Sequence, residues 1–258
     1  MHLLSTRPGG FVEDESVVSR LDQTPADIVV LSSADTTLSL LSAACEAWHA
    51  EGIAVPSLRV ANLMFLRQPA SLDLYLDQVL RHAKVVVVDH LGADTAWPYG
   101  IQEIGALARR SGQRLAMFSC YLQEYENLLG QGTLPREVSR LLWQYLRAGG
   151  KANALQFLRA LAFHGLDRGP APLPPRVLPP VALHVPWNTP GRHAVAGIDD
   201  LRRGWHAEAP CVAVVFYRSH LLAGNTAVFD ALAQALHDEG LNALPVALDS
   251  LKDPLCLS

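Results

Sequence analysis

The strongest constraint on this chain is a set of short apolar runs that do not alternate with polar residues. Residues 84–88 read Lys-Val-Val-Val-Val, and residues 27–31 read Asp-Ile-Val-Val-Leu. A strand with one wet face alternates; an unbroken run needs cover on both faces, the condition of a parallel sheet. Residues 114–118 give a further run, and 58–63 a weaker one. Amphipathic segments fill the gaps. One helix is predicted over 36–51, capped by Asp35, with Leu41, Cys45 and Trp48 on one face and Gly52 as its stop. Another starts at a cap on Ser71, where Leu72, Tyr75, Leu76, Val79, Leu80 and Ala83 keep the i, i+3, i+4, i+7 spacing. A third covers about 100–111. Strand and helix in alternation predict an α/β fold: a mostly parallel open sheet with flanking helices.

Pro135 then opens a helix with Val138, Leu141, Leu142, Tyr145 and Leu146 on one face, ended by Gly149-Gly150. A partner helix follows over about 151–164, and the pair is expected to cover the sheet. Residues 165–180 hold 6 of the 17 prolines and read as a stiff linker. Residues 1–165 are therefore expected to form an amino-terminal α/β domain with a helical pair at its end, 166–180 a linker, and 181–258 a second α/β unit. That second unit has strands expected at 181–185, 211–217 and 244–248. Its helix is capped by Asn225 and carries Phe229, Leu232, Ala233 and Leu236 on one face. Three strands and one good helix leave its faces short of cover, so it reads as the start of a truncated domain.

Half the residues are hydrophobic and 18% are charged, enough apolar surface for a sizeable core. The formal charge of -4 supplies no basic field for nucleic acid or an anionic membrane. No apolar run reaches the length of about 18 residues that a membrane helix needs, and the start lacks a signal-peptide pattern, so a cytoplasmic location is expected. Cys45, Cys120, Cys211 and Cys256 lie far apart with no CxxC, against a disulfide framework or zinc knuckle.

GxxxxGK[ST] and GxGxxG are both absent, against a P-loop or Rossmann nucleotide site. HExxH and GxSxG are absent too. His184, His193, His206 and His220 spread over the second unit without ligand spacing, and Cys120, after a strand, reads better as a buried thiol than as a nucleophile. Neither a metal ligand nor a catalytic residue is assigned. Two strand-end loops remain, where open α/β sheets bind ligands. In the first, Trp97 and Tyr99 bracket a proline, a spacing that suits stacking on a large flat ligand; the competing reading packs Trp97 onto the next helix. In the second, Arg218 offers a planar fork for a carboxylate, followed by His220, Asn225 and Thr226 at a helix start. The competing reading there is an ordinary capped turn.

Several stretches together resemble a known family: LLSTRPGG, PADIVVLSSADT, SLRVANLMFLRQPASLDLYLDQVLRHAKVVVVDHLG, WPYG, LPREVSRLLWQYLRAGGKANALQFLRALA and VAVVFYRSHLLAGNTAVFDALAQALHDEGLNALPVALDSLKDP. The chain is similar to the amino-terminal part of the large N-type subunit of aerobic cobaltochelatase. It stands in one superfamily with the H-type subunit of magnesium chelatase. Gln68 departs from the histidine of that family's LRHP pattern, and 119–126 departs from its acidic loop. The resemblance implies a part in ATP-dependent insertion of Co(II) into hydrogenobyrinic acid a,c-diamide, a corrin of vitamin B12 biosynthesis. It implies a large subunit that holds the tetrapyrrole, with two smaller AAA+-type subunits supplying ATP hydrolysis with Mg. Family members are several times longer, and the metal-insertion region is expected outside these residues, leaving this chain inactive alone. Two other readings stay open: a non-catalytic tetrapyrrole- or subunit-binding module, and a fragment of the magnesium chelatase H type.

Overall fold

The computed structural model describes residues 18–52, 54–120, 126–177, 179–186 and 197–252. The LLSTRPGG opening, His193, Cys256 and most of the 119–126 loop lie outside them. The first unit contains β1 (Ile28–Ser32), α1 (Asp35–Ala50), β2 (Leu58–Asn62), a 3-10 turn at Leu63–Leu66, α2 (Pro69–Gln78) and β3 (Val85–His90). It continues with α3 (Pro98–Ser111), β4 (Arg114–Ser119), the short α4 (Glu126–Leu129), α5 (Arg136–Ala148) and α6 (Lys151–Leu166). The strands form one parallel sheet in the order β2-β1-β3-β4.

Alternate side chains of the unbroken runs serve two cores. Ile28, Val30, Val85 and Val87 face α1, α5 and α6. Val29, Leu31, Val86 and Val88 face α2 and α3. The helical pair thus covers one face, as its sequence predicted. Burying a Val or Leu side chain contributes about 1.5–3 kcal/mol, so these two layers anchor the strand ends above them.

Three expected caps are corrected. Asp35 is the first residue of α1, and Ala34 is its N-cap; the Asp35 carboxylate accepts from Asn62 Nδ2 at 2.6 Å instead. Pro69 opens α2 from Gln68, which carries Ser71 inside the helix. There its hydroxyl accepts from the Ser19 amide at 2.8 Å. The α2 periodicity also overruns the helix, because the apolar residues after Gln78 continue as a 3-10 turn at Leu80–His82. Asn225 precedes the N-cap Thr226 of its helix. The cause lies upstream: residues expected as a loop form a helix of their own, closed by Gly224 in the left-handed region.

The second unit contains β5 (Val181–Leu183), α7 (Ile198–Arg202), β6 (Cys211–Tyr217), α8 (Arg218–Ala223), α9 (Ala227–Asp238) and β7 (Asn242–Leu248). Its sheet has the order β5-β7-β6, with β6 and β7 parallel and β5 antiparallel. The proline-rich segment straps the two units together. Tyr145 donates its hydroxyl to the Leu173 carbonyl. Buried Asn153 both donates to the Arg176 carbonyl and accepts from its amide, each at 2.8 Å. The strap ends in the second unit, where the Pro180 carbonyl accepts from the Asp249 amide at 3.1 Å. Helix α8 packs against α1. Leu222 fills the space over Gly149, where any β-carbon would lie 2.4 Å from it.

Candidate functional site

In the order β2-β1-β3-β4, chain connections leave β1 on one side to β2 and return on the other at β3. Open α/β sheets bind ligands at such a divergence, beyond the carboxyl ends of the strands. The residues brought there are Ser32 ending β1 and Ser33 after it, Asp89 and His90 ending β3, and Ser119 ending β4 and Cys120 after it. Asp89 is fully buried. Ser32 Oγ donates to one of its carboxylate oxygens at 2.8 Å, and Arg147 Nη2 donates to the other at 3.0 Å. Arg147 also donates through Nη1 to the Cys120 carbonyl. One turn earlier on α5, Trp143 Nε1 donates to the Ser119 carbonyl at 3.1 Å. Backbone bonds complete the lattice: the Ser33 amide donates to the Asp89 carbonyl at 3.0 Å, and the Cys120 amide to the His90 carbonyl at 2.8 Å.

The chemistry of these groups is quiet. Burial, with the Asp89 charge beside it, pushes the Cys120 thiol up to about 12, so it stays protonated at neutral pH and is no nucleophile. His90 points to the opposite face of the sheet from Asp89 and lies 6.0 Å from the Trp97 ring, centroid to centroid. Burial lowers its pKa from 6.5 to about 4, the Arg67 charge adds to this, and the Ala93 backbone opposes it weakly. The imidazole is therefore neutral at physiological pH. Among the described residues, no group of three His, Cys, Asp or Glu side chains is placed to hold a metal ion. No described helix is long and apolar enough to cross a membrane.

The residues singled out from sequence sit as follows. Trp97 is 5% exposed and belongs to the α2–α3 core. Its ring lies on Gly100, where a β-carbon would come within 2.1 Å of it. Tyr99 points outward and donates its hydroxyl to Asp73 Oδ1 at 2.7 Å, a bond that raises its pKa. The two rings do not form a stacking pair, because Pro98 starts α3 between them and helical geometry turns successive side chains apart. Arg218 is 6% exposed. Its Nε donates to Asp249 Oδ1 at 2.8 Å and its Nη1 to the Pro179 carbonyl at 2.9 Å, so the carboxylate it was expected to seek is internal. His220 is half-buried, edge-on to Phe229 at 5.5 Å. Asn225 is exposed, and Thr226 donates to Asp230 Oδ2 at 2.8 Å.

Sequence reasoning pointed to this end of the first sheet but did not single out the Ser32–Asp89–Arg147 cluster. An acid placed directly after four valines was a usable signal for Asp89. Arg147 lies 58 residues further on in a helix whose pattern reads as an ordinary amphipathic one, so nothing local marked it.

Fold and site define an α/β scaffold: an open parallel sheet whose polar strand ends are locked from within, strapped to a second α/β unit. Comparison with known proteins places it further. Residues 143–256 match the family model CobN/Magnesium Chelatase. The chain is 44% identical over 258 residues to the aerobic cobaltochelatase subunit CobN of Pseudomonas aeruginosa, covering 100% of this chain and 20% of that protein. Identity to the aerobic cobaltochelatase subunit CobN of a Sinorhizobium species is 34%, over 98% of this chain and 20% of that protein. The catalytic subunit of cobaltochelatase from Mycobacterium tuberculosis superposes with a TM-score of 0.60 at 25% identity, covering 89% of this chain and 17% of that one. Residues 143–256 thus carry a CobN/magnesium chelatase family domain, and the chain spans about a fifth of the length of the curated relatives it matches.

Proposed function

We propose that the chain is a scaffold segment of the large, tetrapyrrole-holding subunit of a cytoplasmic aerobic cobaltochelatase, and that it performs no chemistry by itself. The subunit's reaction is insertion of Co(II), a substrate, into hydrogenobyrinic acid a,c-diamide, with ATP and Mg handled by two smaller AAA+-type subunits. The observation that carries this reading is similarity over the whole chain to one fifth of a cobaltochelatase subunit. The geometry supports a scaffold role, since the buried charges at the strand ends are paired internally: Asp89 with Ser32 and Arg147, and Arg218 with Asp249. On this reading Trp97 and Arg218 hold their loops in shape, while Tyr99, His220, Asn225 and Thr226 are the candidates for contact with the corrin or a partner subunit.

The test replaces the matching fifth of the Pseudomonas aeruginosa subunit with this chain and measures cobalt insertion with all subunits, corrin, ATP and Mg supplied. The expected result is activity within about tenfold of the parent, equivalent to under about 1.4 kcal/mol of transition-state stabilisation, and none when that fifth is deleted. Full activity in the deletion, or none in the replacement that still folds, would overturn the reading.

A further inference from the structure

The second unit repeats the start of the first. In both, a strand leads through a covering helix to a parallel neighbour: β1 to β2 through α1, and β6 to β7 through α9. The next two elements of the first unit then take the opposite side. Helix α2 covers the other face of the sheet, and β3 pairs with the far edge of β1. The second unit has neither counterpart among the described residues. The far edge of β6 has no strand beside it there. Its two faces also differ. Val214 and Phe216 are buried, Phe216 stacked on Phe229 of α9 at 4.0 Å. Val215 and Tyr217, on the opposite face, are 49% and 43% exposed. Helix α7 and Trp205 cover that face only around Leu183 and Leu244.

The sequence of β6 agrees with a central position rather than an edge. Cys-Val-Ala-Val-Val-Phe-Tyr has no charge, no proline and no bulge, the devices by which natural edge strands resist pairing. Seven uncharged residues in a row are the signature of a strand with neighbours on both sides and cover on both faces. Every strand-to-helix-to-parallel-strand step must also be right-handed. A helix passing over the Val215 and Tyr217 face would therefore deliver its strand to the open edge of β6, as α2 delivers β3.

We infer that β6 is an interior strand of a larger, mostly parallel sheet. Its occupant is a helix-and-strand segment of the same large-subunit polypeptide, drawn from the four-fifths of the relatives' length that this chain does not span. The helix covers Val215 and Tyr217, and the strand pairs in parallel with the free edge. The divergence point of the second sheet then falls between β6 and the incoming strand, so the segment 220–226, with Asn225 exposed, lines a crevice completed by that strand. This rests on the reading of the chain as a segment of the large subunit.

Hydrogen–deuterium exchange tests it on the isolated 258-residue chain and on the intact Pseudomonas aeruginosa subunit. In the chain, alternate amides of 211–217 face the open edge and exchange fast. In the intact subunit, the aligned strand is expected to exchange at least about tenfold more slowly, while the strand aligned with β1 exchanges alike in both, since local opening sets the rate. Equal exchange of the aligned strand would overturn the inference. Protection that rises with concentration in the isolated chain, disappears in Val215→Lys and is absent from the intact subunit would assign the edge to a second copy and equally overturn it. Neither failure touches the chelatase reading, which stands on cobalt insertion by the replacement subunit.

Discussion

Removing the Arg147 guanidinium exposes the most consequential polar contact in the first unit. Asp89 has no solvent exposure, and the Arg147 side chain is only 12% exposed. Arg147→Ala leaves Asp89 buried with one oxygen still served by Ser32 and the other bare, and frees the Cys120 carbonyl. Removing one partner of a buried pair costs about 3–5 kcal/mol, because the remaining charge keeps its desolvation penalty. The retained Ser32 bond favours the lower half of that range. At about 2–4 °C per kcal/mol for a unit of this size, the melting temperature falls by roughly 10 °C. Urea unfolding followed by tryptophan fluorescence measures the loss, with the slope m unchanged if only the native state is affected. The cycle with Asp89→Asn distinguishes a buried pair from a bystander. A neutral amide no longer needs the cation, so the double variant is expected to lose less than the sum of the singles by at least about 1 kcal/mol. A loss below about 1 kcal/mol for Arg147→Ala, or strict additivity, would refute the claim that this contact locks the strand ends.

Two further outcomes follow from particular groups. His90 has an ordinary pKa of 6.5 and a folded value near 4; between these the unfolded chain binds the proton and the folded one does not. Stability is therefore unaffected above about pH 6.5 and falls as pH drops toward 4, by roughly 3 kcal/mol over the window. His90→Leu should remove this share of the acid sensitivity, and a parallel pH profile for the two proteins contradicts it. Arg218→Ala should loosen the second unit by about 2–4 kcal/mol, toward the lower end because Asp249 is about a third exposed. Limited proteolysis should then cut within 197–252 faster while 28–166 stays protected; an unchanged cleavage pattern refutes the anchoring role.

The sheet was legible because its signal is redundant. Four valines at 85–88 cannot be satisfied by any arrangement that leaves one face wet, so β3 had to be central. Helix α5 was equally plain, with Pro135 before it and Gly149 after it. Caps were less legible because a hydroxyl or carboxylate near a helix start has several possible partners. Ser71 serves the amide of Ser19, 52 residues away, and Asp35 serves Asn62. The strap was legible as proline-rich but not as docked, since Asn153 and Tyr145, which hold it, lie inside helices whose periodicity already accounts for them.

The site divided along the same line. A strand-end rule depends only on topology, and topology followed from the apolar runs, so the location was within reach. Side-chain roles depend on what arrives from elsewhere in the chain. Arg147 comes from α5 to meet Asp89, and the end of the proline strap comes to meet Arg218, whose other partner, Asp249, follows β7. Both arginines thus tie a strand end to a segment distant in sequence, and each is matched there by an internal acid. A charged residue in such a position holds the loop still, and that fixity is what a binding surface built on loops requires. The division of labour has a direct consequence for substitutions at this end of the molecule. Changes at Asp89, Arg147 and Arg218 are expected to act through stability, whereas on the proposed function changes at the exposed Tyr99 and Asn225 are expected to alter binding while leaving the fold intact.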